Sequence, residues 1–475
     1  MFRRNRSLVL LAAVVTSVLA LSGTATADHA TRPHTANMHA LGESPHPASF
    51  LGDPDGVRHI SSDIAFQGNL AFHGNYDGFR IVDISDPEAP QEIVHQRCNG
   101  DQGDIAVWGD ILVRSWNSKK ATARTCDGQT VPAGWEGVHV FDISDVTDPH
   151  LVGSVELPCG SHTVTLAPDL TNGRLIVYSN NSSSSGCGTD PSLDAQNLLG
   201  DFIDVVEVPI DHPENARLLR REPLAGPADP TVRTGCHDMG IILGSVNLAA
   251  CASADTTNVF DVGANGTPGG SLADPEFLYT IQESGVDGHR GRWHSATFSW
   301  DGKVIVLGWE PGGGAAPECE STDPPVTKSA FFYNAATGAK LGQWTLPRPQ
   351  DGTVVGGTKI DENCTIHNYN VVPLRSGQYV LTSGNYQAGT WVTDFTDPAN
   401  PVTLGWSDPP PLVRQTPTGP ASELGGAWSS YWYNNFIFES SITEGLNVFR
   451  FSGPETAGAL RVKRLNPQTQ EFSLG

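Results

Sequence analysis

The chain has 475 residues, of which 38% are hydrophobic, 17% charged and 8% aromatic, and it contains 8 cysteines. This composition excludes a disordered chain, a coiled coil and a disulfide-stabilised miniprotein. The formal net charge of -23 argues against electrostatic binding of nucleic acid or of an anionic membrane surface. We therefore expect a large globular protein whose partners are neutral or cationic.

The first residues have the features of an export signal. A basic start precedes an apolar run from Leu8 to Leu21, and a small-residue cleavage motif ends at Ala27. The apolar run is too short for a comfortable membrane span, and no later stretch has the composition of a transmembrane helix. The sequence thus predicts a signal peptide over residues 1–27 and a secreted, extracellular protein, which we expect to be a monomer.

A flexible N-terminal segment is predicted over residues 28–51. It contains four histidines, and a solvated tail is favoured over metal scavenging for them: His29, His34, His39 and His46. A compact domain is expected over residues 52–466, followed by a C-terminal tail over residues 467–475.

One strand motif recurs through the compact domain. It reads Gly-Phe-Arg-Ile-Val-Asp-Ile-Ser-Asp-Pro at residues 78–87, and close copies occur at residues 137–145 and 389–398. The weaker copies are at residues 203–209, 258–262, 330–334 and 445–451. Each copy follows a pair of short apolar strands, of which residues 294–307 are the best example. Alternating apolar residues with abundant Gly and Pro predict β-structure throughout.

The seven copies predict a seven-bladed β-propeller of four-stranded blades with long rim loops. A pair of β-sandwiches is the alternative all-β architecture. In a propeller, the last strand of the final blade must come from one end of the chain. Both the segment before Ser62 and residues 460–465 are candidates for that strand.

The repeated motif resembles that of a known family, the LVIVD-repeat proteins, which are exported bacterial proteins. The family is named for the strand that stands here as Phe-Arg-Ile-Val-Asp at residues 79–83. The resemblance covers nearly all of the mature chain, including the segments at residues 62–66, 159–163, 235–238 and 364–368. It implies a β-propeller but says little about activity, because one fold hosts many functions.

Eight cysteines in an exported chain favour disulfides. Pairing neighbours along the sequence is one of 105 possible connectivities. This pairing joins Cys98 to Cys126, Cys159 to Cys187, Cys236 to Cys251, and Cys319 to Cys364. In an alternative interpretation, Cys159, Cys236 and Cys364 are thiolate metal ligands.

Four consecutive units place histidine at the same repeat position: His162, His237, His294 and His367. The strand that carries this position is expected to be the innermost of each blade, so the imidazoles would meet near the central channel. Imidazole suits copper, iron, nickel or zinc, and a set without an obligatory carboxylate disfavours calcium and magnesium. Asp238 and Asn368 are possible orienting partners, although neighbouring strand residues normally face opposite sides.

The histidine set predicts a metal site, with copper or iron as the expected cofactor. In the alternative, these histidines only hydrogen-bond across the channel or to backbone carbonyls of the next blade. An aromatic wall is expected opposite them, formed by Trp428, Tyr431, Trp432 and Tyr433. The preferred function is a copper- or iron-dependent oxidoreductase acting on a small molecule. The alternative function is a noncatalytic extracellular propeller without metal that binds a protein or glycan.

Overall fold

The computed structural model describes residues 28–47, 59–100, 102–117, 119–157, 159–181, 202–225, 235–253, 256–263, 269–282, 291–311, 319–348, 354–355, 357–375, 377–416, 419–422 and 424–474. The predicted signal peptide lies outside these residues. Within them the helices are short 3₁₀ turns: Asp28–Ala30, Leu170–Asn172, Pro213–Asn215, Pro325–Lys328 and Pro454–Thr456. No helix in the described ranges has the length and apolar character needed to cross a membrane.

Five sheets each contain one antiparallel meander of four strands, numbered here in chain order. The first has Ser61–Gln67, Leu70–Asn75, Gly78–Asp83 and Gln91–Arg97, and the second Ile105–Trp108, Ile111–Trp116, Gly137–Asp142 and His150–Glu156. The third has Thr163–Asp169, Arg174–Asn180, Phe202–Pro209 and Arg217–Pro223, and the fourth Cys236–Ile242, Leu248–Ser253, Thr257–Asp261 and Glu276–Ile281. The fifth has Gly291–Phe298, Val304–Pro311, Ser329–Asn334 and Lys340–Thr345.

The sixth sheet has eight strands. In spatial order they are Met38–Pro45, Gly445–Phe451, Phe436–Ser441, Ala427–Tyr433, Asn368–Val371, Val380–Gly384, Thr390–Asp394 and Val402–Ser407. Two antiparallel meanders are joined where Asn368 and Tyr369 pair in parallel with Ser429 and Ser430. Three small hairpins lie outside these sheets: Arg124–Cys126 with Gln129–Val131, Val354–Val355 with Thr358–Lys359, and Val413–Thr416 with Gly419–Ser422.

The meanders are arranged in a closed ring. The first strand of each meander contacts the first strand of the next one in chain order, and the strand Ala427–Tyr433 contacts the strand Ser61–Gln67. A closed ring of this kind is a propeller-like architecture and is incompatible with a pair of β-sandwiches. The predicted seven-bladed propeller is confirmed as a propeller-like ring, but not as seven blades in separate sheets. Five sheets stand alone, and the parallel pairing described above merges the remaining strands into one sheet.

The N-terminal segment is part of this ring. Its strand Met38–Pro45 pairs antiparallel with Gly445–Phe451, so the segment before Ser62 supplies the outermost strand of the last meander. The buried Arg32 also forms an ion pair with Glu439 at 2.8 Å. The expected flexible segment is therefore a strand here, because it satisfies the backbone groups of an otherwise unpaired edge. Its histidines do not all belong to a solvated tail, since His29 is only 1% exposed.

The C-terminal crossing segment, which we define as residues 464–474, is also built into the fold. The strand Arg464–Leu465 pairs with Phe66 and Gln67 of the first sheet. The strand Thr469–Gln470 pairs in parallel with Ile241 and Ile242 of the fourth sheet. The predicted C-terminal tail thus spans the ring, because its backbone and side chains satisfy the polar groups of several sheets.

Apolar side chains fill the spaces between neighbouring sheets. Val113 and Val140 of the second sheet are completely buried in one cluster with Leu166 and Val177 of the third. Burying one such side chain contributes roughly 1.5–3 kcal/mol. The sheets approach closely at small residues, because a Cβ on Gly240 would lie 2.5 Å from the carbonyl oxygen of Ala296 in the next sheet. This packing holds the inner strands in a fixed ring around the channel.

Three of the predicted disulfides are confirmed: Cys98–Cys126, Cys236–Cys251 and Cys319–Cys364. Cys159 is disulfide-bonded as well, and its predicted partner Cys187 lies outside the described residues. The alternative in which Cys159, Cys236 and Cys364 are thiolate ligands is therefore wrong, because their sulfur atoms are already bonded.

Candidate metal centre in the central channel

The four predicted histidines form a row around one end of the channel. The Nε2 atoms of His162 and His237 lie 3.0 Å apart. The ring centroids of His237 and His294 are 3.8 Å apart, and those of His294 and His367 are 4.1 Å apart. All but His162 are almost completely buried. The structure thus brings each histidine into contact with the next one in the series.

Local bulges explain why neighbouring residues of one strand both face this site. The ladder register shifts between Cys236 and Asp238 in the fourth sheet. A bulge interrupts the alternation of side chains along a strand. As a result Asp238 Oδ1 lies 3.3 Å from Nδ1 of the adjacent His237. The rule that adjacent strand residues face opposite sides therefore fails at this position.

Two buried carboxylates lie within the histidine row. The Glu310 Oε1 atom is 3.9 Å from Nε2 of both His294 and His367. It also accepts a hydrogen bond of 3.1 Å from the Tyr386 hydroxyl. The Asp238 Oδ2 atom lies 3.9 Å from Nδ1 of His294. Two carboxylates, which the expected all-nitrogen set does not include, therefore lie beside the imidazoles.

The repeat pattern predicts no role for Glu310, although the position of this residue carries a usable signal. Glu310 lies on the strand Val304–Pro311, which pairs with the strand that bears His294. Trp293 pairs with Trp309, so His294 and Glu310 lie next to the same pair of residues in this antiparallel hairpin. A polar residue at the end of the strand that pairs with the histidine strand is therefore a second candidate ligand, as Glu310 is here.

A small cavity lies beside the histidines. About 10 Å³ is open to the centre of a water molecule, which is room for about one water molecule or one metal ion. The lining residues are Ser62, Asp63, Gln102, Asp104, Thr163, His237, Asp238, His294, His367, Asn368 and Trp428. The predicted orienting residues Asp238 and Asn368 thus both reach the channel.

The floor of the site is acidic. Asp63 accepts hydrogen bonds from the Tyr431 hydroxyl at 2.6 Å and from Gln468 Nε2 at 2.9 Å. Burial raises the pKa of Asp104 and of Asp238 well above the usual range of a carboxyl group, and the carboxylate of Asp63 adds to both shifts. A cation in the channel would relieve this repulsion, because it would stabilise the ionised carboxylates.

Burial has the opposite effect on the imidazoles. It lowers the pKa of His367 to about 3, so this ring is neutral at pH 7. His367 Nδ1 lies 2.6 Å from the backbone oxygen of Trp428, which can only accept, so Nδ1 carries the proton. The Nε2 atom of His367 consequently has a lone pair. A neutral imidazole with one nitrogen fixed in this way is the form that binds transition metals.

The aromatic wall is present in part. The ring centroid of His367 lies 4.8 Å from that of Trp428 and 4.3 Å from that of Tyr386. Tyr431 reaches the acidic floor, as described above. Trp432 and Tyr433 pack in hydrophobic clusters away from the cavity lining. Tyr386, which sequence analysis did not consider, therefore takes a place in the wall.

The repeats match a known family model. The LVIVD repeat matches residues 60–95 and 131–156, which contain the strands Gly78–Asp83 and Gly137–Asp142. The chain therefore contains LVIVD repeats. The resemblance deduced from the sequence is thereby confirmed.

Among solved structures, the LVIVD-repeat protein is similar to a protein from Lactobacillus plantarum. The two chains are 13% identical, and the TM-score is 0.45. The comparison covers 86% of this chain and 100% of the other. None of the curated proteins matches the chain.

Two groups of side chains in the channel of the LVIVD-repeat protein have the chemistry of a metal site. The first is His237, Asp238 and His294, and the second is His294, Glu310 and His367. In each group one possible ligand atom per residue lies within 4.8 Å of the others. His162 belongs to neither group, and its 3.0 Å contact with His237 fits the alternative in which histidines hydrogen-bond to each other. Both groups combine two imidazoles with one carboxylate.

Proposed function

We propose that the central channel of this LVIVD-repeat protein binds a redox-active transition metal and uses it to oxidise a small molecule. The observation that carries the proposal is the buried grouping of two imidazoles with one carboxylate, which occurs twice around His294. Two histidines and one carboxylate are the donor set of many non-haem iron enzymes. Iron is therefore favoured over copper as the cofactor of this site.

The residues of the channel suit this role in their protonation states. His367 Nε2 offers a lone pair beside Glu310, while the backbone oxygen of Trp428 holds the other ring nitrogen. His237, Asp238 and His294 complete the set, and His162 extends the row at its outer end. A bound iron or copper ion would supply electron transfer or activation of dioxygen.

Two further residues shape the surroundings of the site. The Tyr386 hydroxyl donates to Glu310 and so fixes the carboxylate that faces the histidines. The Trp428 ring packs against His367 and lines the cavity, which limits the space beside the site. The small cavity favours a small substrate or dioxygen itself over a large ligand.

The test is the metal content of the purified full-length protein, measured by elemental mass spectrometry. The wild type is compared with a quadruple variant in which His162, His237, His294 and His367 are replaced by Ala. His212→Ala is the matched control, because the His212 side chain is 71% exposed and lies outside the channel. About one iron or copper per chain in the wild type and the control, with loss in the quadruple variant, is the expected result.

A second variant separates metal binding from folding. Glu310→Gln preserves the shape of the side chain but removes its negative charge, so it is expected to lower metal affinity at least about 10-fold in a folded protein. If folded wild-type protein takes up neither iron nor copper after reconstitution, the oxidoreductase proposal is wrong. A noncatalytic binding propeller would then be the remaining interpretation.

We also propose that the ring has seven blades and that the four-histidine strands are its inner strands. The two meanders of the eight-stranded sheet each have the strand order of one blade, which supports this count. The short parallel pairing of Asn368 and Tyr369 with Ser429 and Ser430 would then be a local contact between two blades. An experimental density map with seven pseudo-symmetric units around the channel is the expected observation, and a map with any other number would contradict the count.

Export to the cell exterior is the final part of the proposal. The three described disulfides support it, because such bonds persist in oxidising compartments. N-terminal sequencing of protein recovered from the culture medium is expected to begin at Asp28. Retention of the full-length chain inside the cell would contradict export.

A further inference from the structure

A second histidine cluster lies on the first sheet, away from the four-histidine row. The N-terminal histidine cluster, as we define it, consists of His46, His59, Asp77 and His95. These residues come from four separate parts of the chain: the end of the N-terminal strand, the approach to the strand Ser61–Gln67, the turn before Gly78, and the strand Gln91–Arg97. The fold therefore assembles the cluster from segments that are distant in sequence.

Asp77 is at the centre of the cluster. Its Oδ1 atom lies 3.3 Å from His46 Nε2. Its Oδ2 atom lies 2.9 Å from His59 Nδ1 and 3.2 Å from His95 Nε2. The ring centroid of His46 is 5.7 Å from that of His59 and 5.2 Å from that of His95. Three imidazoles thus surround one carboxylate with a ring nitrogen of each directed at it.

We infer that the N-terminal histidine cluster binds a zinc ion. Zinc takes four nitrogen, sulfur or oxygen ligands in a tetrahedron, with bonds of about 2.0–2.2 Å to His and Asp. Two ligands of such a tetrahedron are about 3.3 Å apart. The distances from Asp77 to His46 and His95 are 3.3 and 3.2 Å, close to that value. His59 is the candidate for the fourth ligand, because its Nδ1 atom lies 2.9 Å from Asp77 Oδ2.

The burial of the cluster suits a structural ion. The Asp77 side chain is completely buried, whereas those of His46, His59 and His95 are 10%, 15% and 19% exposed. The carboxylate is thus shielded from water, while the imidazoles leave a path by which an ion enters. Four protein ligands leave no open position, which is typical of structural zinc sites.

The position of the cluster gives zinc a specific structural role. The backbone N–H of His46 donates to the carbonyl of Glu444, in the turn between two strands of the sixth sheet. Asp77 and His95 belong to the first sheet, which is next in the ring. An ion held by these residues would fasten the N-terminal strand to the first sheet at the junction where the ring closes. It would stabilise the folded chain by mass action, because the unfolded chain lacks the assembled site.

Two arginines lie near the cluster, because the buried Arg80 interacts electrostatically with Asp77 and His46. Arg97 Nη1 is 3.9 Å from Asp77 Oδ2, and the Arg97 side chain is 58% exposed. In the alternative, Asp77 is simply a hydrogen-bond acceptor for the three imidazoles. The two interpretations differ in metal content and in the response of stability to zinc. Neither measurement depends on the proposed iron or copper site.

The experiment uses full-length protein prepared without a histidine tag. His237→Ala/His294→Ala protein, which lacks the central site, is compared with the same protein carrying the additional changes His46→Ala and His95→Ala. His150→Ala is the control, because His150 is 61% exposed beside carboxylates on the outer strand of the second sheet. Zinc per chain is measured after dialysis, and the melting temperature is measured with and without added zinc.

The expected result is about one zinc per chain in the central-site variant and in the control, and at least about 10-fold less after loss of His46 and His95. Added zinc is expected to raise the melting temperature only where the cluster is intact. Equal zinc content with and without the cluster would overturn the inference. If the cluster variant does not fold, the folded central-site variant is titrated with cobalt instead. Absence of the visible absorption of four-coordinate cobalt would also overturn the inference.

Discussion

Replacing Asn466 by Ala is expected to destabilise the whole ring, although Asn466 lies near the C-terminus. The Asn466 side chain is 2% exposed and bonds both backbone groups of Val107 in the second sheet. It accepts a hydrogen bond of 2.7 Å from the Val107 N–H and donates one of 2.9 Å to the Val107 carbonyl. The substitution removes both bonds and leaves the fully buried Val107 backbone without these partners.

The size of the effect follows from these two bonds. A typical hydrogen bond contributes about 1 kcal/mol net, and a buried polar group left unsatisfied costs about 1–3 kcal/mol. We therefore expect Asn466→Ala to lower the free energy of unfolding by about 2–4 kcal/mol. The loss should be cooperative, because the C-terminal crossing segment also bonds the fourth sheet, where Gln468 accepts from the Ile241 N–H at 2.7 Å.

Unfolding in urea, followed by tryptophan fluorescence, measures this effect. Asn400→Ala is the matched control, because Asn400 is exposed and its amide donates only to the Asp397 carboxylate within its own turn. The control is expected to change the free energy of unfolding by less than about 0.5 kcal/mol. Equal stability of the two variants would refute the view that the crossing segment is an integral part of the ring.

Three further predictions test other parts of the fold. Replacing Cys98 and Cys126 by Ala should cost about 3–4 kcal/mol in thermal or urea unfolding, because their disulfide closes a loop with a sequence separation of 28; a loss below about 1 kcal/mol would contradict this. Burial raises the pKa of Asp204 to about 6, so folding favours the protonated form of this side chain. As the pH rises from 4 to 7, the free energy of unfolding of the wild type should therefore fall by up to about 3 kcal/mol relative to that of Asp204→Asn. A difference between the two proteins that does not depend on pH would contradict this prediction. Gly240→Ala should lower the melting temperature, because the new Cβ would lie 2.5 Å from the backbone oxygen of Ala296, and an unchanged melting temperature would show that the sheets separate easily there.

Local patterns in the sequence were sufficient for the all-β class, three of the four predicted disulfides and the histidine row. The alternation of apolar residues reports which side of a strand is buried, and its recurrence reports repeated meanders. Because His162, His237, His294 and His367 share one repeat position, ring geometry alone brings them to one channel. The order of the cysteines was sufficient for the same reason, since each pair lies within or next to one repeat.

The features that only the tertiary structure decided all depend on contacts between distant segments. Asp238 turns into the channel because a bulge interrupts its strand, and Glu310 reaches the histidines through its pairing with a neighbouring strand. The merging of two meanders likewise depends on how closely adjacent strands approach. Composition and periodicity do not contain this information, because they describe one strand at a time.

The two ends of the chain show the same limit. Both were expected to lie outside the compact domain, since neither carries a repeat. In the structure Met38–Pro45 completes the last meander, and the C-terminal crossing segment spans the ring. The sequence by itself determined the repeated strands and their inward histidines. Ring closure decided where the two ends bind, because their hydrogen-bonding partners come together only when the ring is assembled.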